Sequence, residues 1–299
     1  MKIIGYLEFE GKSIEKQIEL ASTLKVDELI IRYINEDTKI SDITAKDVKD
    51  INQLLKKERK AIYAIDPLID NYDFNNIDTV SLVITDYEKA INAANLLRVN
   101  NIVFRLPIIK DIITEFDSMK ESLDAIIELA KRSNKTLLIK HEKTTTSNIA
   151  YIIKKYNNIK NLEVTFSPAD AILNSDSPLA GYRVLKDYFN AFIASDIDSI
   201  DNPELLGYGR VNIIDLFKRM KRDKYRGDVI IDERFVELFN NKEIKKVPFY
   251  KKLFNTKSLF DKYLEGYALR VFPNEKEKLP TINDIYLNQI NVINIVFNR

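Results

Sequence analysis

The sequence predicts an α/β protein, a (β/α)8 barrel with a C-terminal extension. Short runs rich in Ile, Val, Leu and Phe alternate with longer stretches whose apolar residues recur three and four apart. Roughly eight such pairs fit into the chain, and prolines punctuate the ends of several runs. The runs are short and apolar throughout, as strands buried on both faces of a parallel sheet must be.

Taken in order, the strands are expected at Ile3 to Glu8, Glu28 to Tyr33, Lys60 to Ile65, Asn101 to Leu106, Thr136 to Ile139, Leu162 to Phe166, Asn190 to Ser195 and Val229 to Ile231. Between them, helices with one buried face are marked by Ile14, Ile18 and Ala21, by Met119, Leu123, Ile126, Ile127 and Ala130, by Ile149, Ile152 and Ile153, and by Ile213, Leu216, Phe217 and Met220. Thr85 to Glu88 reads as a capping box, and Asn212 as an N-cap. Pro67, Pro107 and Pro168 fall just beyond strands, where they end ladder pairing and turn the chain into the loops that assemble barrel active sites. Lys251 to Leu269 looks helical. The barrel is expected to occupy residues 1–272, leaving residues 273–299 as an Asn- and Ile-rich extension that fits either period and packs on the barrel or on a second subunit, making a homo-oligomer.

Composition removes whole classes of chemistry. The 299 residues hold no cysteine, which excludes disulfides, thiolate nucleophiles and Cys-ligated metal, and suits a reducing, cytoplasmic compartment. There is one histidine, so sites built on several imidazoles cannot form, and a Ser-His-Asp triad could use only His141. Lys plus Arg number 46 against 45 Asp plus Glu, and the net charge of +1 gives no general reason to expect nucleic acid or an anionic membrane as partner. The start from Met1 to Glu10 reads as a strand, neither a secretory signal nor a membrane span.

Three segments carry a family resemblance. Val164-Thr-Phe-Ser-Pro-Ala-Asp170 resembles a strand written V-T-F-D-P-A-N. Leu205-Leu-Gly-Tyr-Gly-Arg-Val-Asn-Ile213 resembles an L-G-x-G-x-V-[DN] turn. Tyr225-Arg-Gly-Asp-Val-Ile-Ile-Asp232 resembles Y-x-G-x-[LV]-V-I-E at an eighth strand. Their order and spacing resemble the xylose isomerase-like TIM barrel family, the sugar and sugar-phosphate isomerases and epimerases together with the barrel-type AP endonucleases. Gly207 and Gly209 then fit either a close backbone approach to a ligand or a turn needing positive φ.

The resemblance implies a divalent cation held by a Glu, an Asp, a His and a Glu at strand ends, with carboxylates moving the proton. This chain departs from that pattern. Lys140 stands where the fifth strand should end in Glu, Ser167 replaces the Asp, and the His-x-His-x-x-Asp run reads Ala191-Phe-Ile193-Ala-Ser-Asp196. Asp232 takes the place of the last Glu, and Ile30 stands where many members have another Glu. A degenerate site without metal or other cofactor is therefore expected, with Lys140 neutralising Asp232 in place of the cation. Glu8, Asp66, Lys140 and Asp232 are the candidate catalytic groups. Arg32, Arg105, Ser167, Asp196, Arg210 and Arg234 are the candidate ligand-binding groups, because guanidinium forks suit a phosphate or carboxylate. His141 and Glu142 are further strand-end polar residues. The function expected is that of a sugar-phosphate isomerase or epimerase acting on or binding a small anionic sugar or sugar phosphate. A non-catalytic metabolite-binding barrel and a Schiff-base aldolase working through Lys140 are the alternatives. AP endonuclease activity needs several histidines and is excluded.

Overall fold

Strands form over the runs of β-branched and large apolar residues, because pairing on both sides satisfies backbone groups that the core would otherwise strand. The computed structural model describes residues 1–241, 259–275 and 278–297. The barrel strands are β1 (Ile3–Gly5), β2 (Glu28–Ile31), β3 (Ala61–Ile65), β4 (Asn101–Phe104), β5 (Thr136–Lys140), β6 (Leu162–Phe166), β7 (Ala191–Ala194) and, after a small hairpin of β8 (Asp196–Ile197) and β9 (Pro203–Glu204), β10 (Asp228–Ile231). They close in the order β1-β10-β7-β6-β5-β4-β3-β2. Pairing is parallel, as for Ile3 beside Val229 and Ile139 beside Val164, while β8 and β9 pair antiparallel. All eight expected barrel strands are present. Several stop earlier than the apolar runs suggested, so Tyr6 to Glu8, Arg32 and Arg105 lie in the loops beyond.

The described helices are α1 (Ile14–Thr23), α2 (Ala45–Glu58), α3 (Ile77–Leu97), α4 (Ile112–Arg132), α5 (Thr146–Lys155), α6 (Pro168–Leu173), α7 (Pro178–Leu185), α8 (Ile213–Arg222), α9 (Arg234–Asn241), α10 (Leu259–Val271) and α11 (Ile282–Phe297). The expected apolar faces are the buried ones, Met119, Leu123, Ile126, Ile127 and Ala130 on α4 and Ile213, Leu216, Phe217 and Met220 on α8. Two capping expectations change. Thr85 lies inside α3, where its hydroxyl donates to Ser81 O at 2.9 Å, and the capping box sits instead at Thr44 and Asp47. Asn212 does precede α8, but in a left-handed conformation and without a side-chain cap bond. Pro168 opens α6 behind the N-cap Ser167, so its fixed φ starts a helix there. Residues 251–258 of the expected 251–269 helix fall outside the described residues, and the ambiguous extension resolves into α11.

The chain divides into two compact units, Met1–Phe192 with Arg226–Ile230, and Ile193–Tyr225 with Ile231–Arg299. The first is built on β-strand residues such as Ile4, Leu29, Ile65, Val103, Leu138 and Val164, all essentially inaccessible. In the second, α11 buries Ile285, Tyr286, Gln289, Ile290 and Ile293. There Phe217 packs edge-on to Phe297 at 5.4 Å, and Phe235 to Tyr267 at 5.9 Å. No described helix is long and apolar enough to cross a membrane.

Candidate functional site

In the first unit, the C-terminal ends of consecutive strands each deliver a charged residue. Tyr6 and Glu8 follow β1, Arg32 follows β2, Asp66 follows β3, Arg105 follows β4, and Lys140 ends β5 with Glu142 just beyond. They form one connected network. Glu8 Oε1 lies 2.9 Å from Arg32 Nε, and the Arg32 guanidinium stacks 4.2 Å from the Tyr6 ring centroid. The Tyr6 hydroxyl donates to Asp66 Oδ2 at 3.3 Å. Asp66 receives both arms of the Arg105 fork, Nη1 to Oδ1 at 2.7 Å and Nη2 to Oδ2 at 3.1 Å. Arg105 Nε donates to Glu142 Oε2 at 2.9 Å, and Lys140 Nζ lies 2.5 Å from Glu142 Oε1. Lys140 also sits 5.4 Å from the Tyr6 centroid, which closes a ring. Three carboxylates and three side-chain cations thus offset one another at the strand ends.

Their environments set their protonation. Burial alone would raise the Asp66 carboxyl, but the Arg105 guanidinium overrides it and holds Asp66 far below the usual carboxylate range. Burial likewise opposes ionisation of Glu142, and Lys140 and Arg105 together bring its carboxyl down. Glu8 differs: burial pushes its carboxyl up against the pull of Arg32, and its buried Oε2 accepts no hydrogen bond. Glu8 is therefore the one carboxyl of the three whose protonated form its surroundings favour.

His141 is inaccessible and stacks on Phe166 at 5.5 Å. Its Nδ1 lies 3.1 Å from Ser167 O and its Nε2 3.4 Å from Thr146 Oγ1, and burial keeps its pKa below the ordinary value. It is a packed, neutral core residue. Ser167 spends its hydroxyl on the Asp170 amide at 3.2 Å as the α6 N-cap.

In the second unit, Asp196 is 1% exposed, and its carboxylate accepts the amides of Ile197, Gly207, Gly209 and Val211 at 3.0 to 3.1 Å. Burial pushes this carboxyl up while the four amides pull it down. The expected close approach of Gly209 to a ligand is an approach to this carboxylate: a Cβ there would lie 2.2 Å from Asp196 Oδ1 and 2.4 Å from Ile197 O. Gly207 has φ of +89°, the turn requirement proper. Arg210 pairs with Asp201. Asp232 is held by Arg234, whose Nη2 reaches Oδ2 at 2.8 Å and whose Nε lies 3.0 and 3.1 Å from the two oxygens.

The structure thus brings Glu8, Arg32, Asp66, Arg105 and Lys140 together. Lys140 pairs with Glu142 and Asp232 with Arg234, each with a partner two residues away. Sequence reasoning passed over Tyr6, whose ring lies between two cations, and gave Glu142 no role. A signal for Tyr6 was its i, i+2 relation to Glu8 at the end of the first strand. Among the described residues no three His, Asp or Glu side chains are grouped to hold a metal ion. A surface cavity of about 410 Å³ between α5 and α7, bordered by Ala150, Tyr151, Asp176 and Val184, includes none of the sequence-predicted site residues.

A family model described as xylose isomerase-like TIM barrel matches residues 18–247. No curated protein matches the sequence. Solved structures share the fold at low identity. A D-psicose 3-epimerase from Clostridium cellulolyticum H10, solved with D-tagatose, is 13% identical, with 99% of each chain covered and a TM-score of 0.67. A D-psicose 3-epimerase in the presence of D-fructose is 14% identical over 100% of both chains, also at 0.67. A 3-keto-D-glucoside 4-epimerase from E. coli is 12% identical, covering 81% of this chain and 100% of its own, at 0.61.

Proposed function

Because the chain belongs to the xylose isomerase-like TIM barrel family, we propose that it binds a small, anionic sugar-like ligand at the ends of β1 to β5 and moves a proton on it without a divalent metal, as an isomerase or epimerase. The observation that carries this reading is the charged network at the strand ends, where a barrel assembles its active site, with Glu8 as its one carboxyl raised by burial and bearing an unbonded oxygen. The distant structural relatives include epimerases solved with D-tagatose or in the presence of D-fructose, which supports a sugar-like ligand.

The ligand set implied by the family does not fit a divalent cation in this chain. Lys140 supplies an ammonium where a carboxylate is needed, the Ser167 hydroxyl caps a helix, four amides take up Asp196, and Arg234 takes up Asp232. In the proposed reaction Glu8 removes a proton from the carbon beside the sugar carbonyl and returns it to the former carbonyl carbon, while the proton of the adjacent hydroxyl passes to the former carbonyl oxygen. Arg105 and Lys140 hold the anionic group of that ligand beside the reacting carbons. Asp66 stays ionised and holds the Arg105 fork rather than exchanging protons. A second reading, a non-catalytic binder, is favoured by the locking of Asp66 and Asp232 against arginines. The aldolase alternative is disfavoured because Lys140 Nζ is engaged by the Glu142 carboxylate at 2.5 Å.

The test is incubation with free sugars and sugar phosphates in D2O, following loss of the C–H signal beside the carbonyl by NMR, with thermal shift on the same panel. Exchange that Glu8→Gln abolishes supports the enzyme. Binding without exchange leaves the binder. Absence of both overturns the assignment of this site.

A further inference from the structure

We propose that Glu142 is a built-in occupant of an oxyanion site: its carboxylate bridges Lys140 and Arg105 where the carboxylate or phosphate of the ligand binds by displacing it. This deepens the proposed function and rests on its reading of an anionic ligand at the strand ends. The geometry is that of a bound anion. One Glu142 oxygen lies 2.5 Å from Lys140 Nζ and the other accepts from Arg105 Nε at 2.9 Å, so both oxygens are used, each on a different cation.

Exposure distinguishes the two sides of the contact. The Lys140 and Arg105 side chains are 5% and 6% exposed, whereas that of Glu142 is 30% exposed and has a way out to water. The rest of the site is held without it. Arg105 stays anchored through its two other nitrogens on Asp66, and the Glu142 backbone is pinned by Asn174 Nδ2 donating to its carbonyl at 2.7 Å. Release therefore requires only side-chain rotation of Glu142. The charge balance also selects the ligand. Swinging Glu142 out removes one negative charge from beside Lys140 and Arg105, which a ligand carboxylate or a phosphate monoanion restores.

The experiment is calorimetric titration of the full chain with inorganic phosphate and with D-gluconate at constant low ionic strength, for the native protein, Glu142→Gln and Glu142→Asp. Glutamine removes the competing charge, and aspartate is too short to span both cations. Both variants are expected to bind at least one of the two anions about tenfold or more tightly than the native chain, and adding Lys140→Met to Glu142→Gln is expected to erase the gain. Unchanged or weaker binding in both variants, with native-like circular dichroism, overturns the proposal. If neutral sugars still bind in that case, the sugar site stands and only the internal-anion role falls. If no sugar binds either, both readings fall.

Discussion

Asp66 and Asp196 are both inaccessible carboxylates, and the protein meets their charges in opposite ways. Asp66 faces a guanidinium fork and a phenol, with a single backbone amide, that of Leu68 at 3.0 Å, beside them. Asp196 faces four backbone amides of one loop and its own neighbour. A side-chain counterion can be swapped or displaced one rotamer at a time, but amides move only if the backbone moves. The first arrangement suits a site that exchanges partners with a ligand. The second suits a permanent fixture, and it accounts for the two glycines that resembled a ligand loop.

The sharpest way to break this contrast is at the cage. Gly209→Ala drives a Cβ into Asp196 and the Ile197 carbonyl, and is expected to cost about 4 kcal/mol in urea unfolding. Asp196→Ala, which strands four amides, should cost a similar amount; a loss below about 1 kcal/mol would show the loop to be adaptable and the contrast empty. Asp66→Asn is expected to cost about 3 kcal/mol by leaving Arg105 buried with less compensation. Because the folded Asp66 carboxyl lies below its unfolded value, its stabilisation is present above about pH 4 and lost as pH falls through the folded value. The variant should therefore flatten the acid limb of the stability curve, whereas an unchanged limb would place that proton uptake elsewhere.

A smaller effect is expected at His141, whose folded pKa is depressed by burial. Its contribution is present above the unfolded value of about 6.5 and fades as pH falls through the folded one. Relative to the native chain, His141→Gln should flatten the fall in stability as pH drops below about 6.5, read from denaturation midpoints corrected for its lower baseline. Smallest of all is Arg210→Ala. This half-exposed pair with Asp201 should contribute no more than about 0.5 kcal/mol, and less in high salt.

The barrel was legible because eight apolar runs and their helical partners are local signals, as the match of the α4 and α8 faces shows. The β8–β9 hairpin was not, since it depends on amides gathered by Asp196 from residues up to fifteen positions away. The extension left both periods open because Ile and Asn recur at several spacings. The decisive local sign, Thr281 and Asp284 exchanging backbone amides as a capping box, is short and easily passed over. At the site, strand-end position identified Glu8, Arg32, Asp66, Arg105 and Lys140 as a group. It could not assign partners among equal charges, so the Lys140–Glu142 pairing went unread.

The Leu206 amide, in the loop that Asp196 organises, donates to the side chain of Gln289, 83 residues onward and in the last helix. Gln289 is synthesised after every strand of the barrel, so the loop lacks one of its fastenings until α11 has been made. Premature termination before α11 would leave the loop's preceding amide unsatisfied however well the strands had already paired. Helix α11 thus completes a loop encoded far upstream.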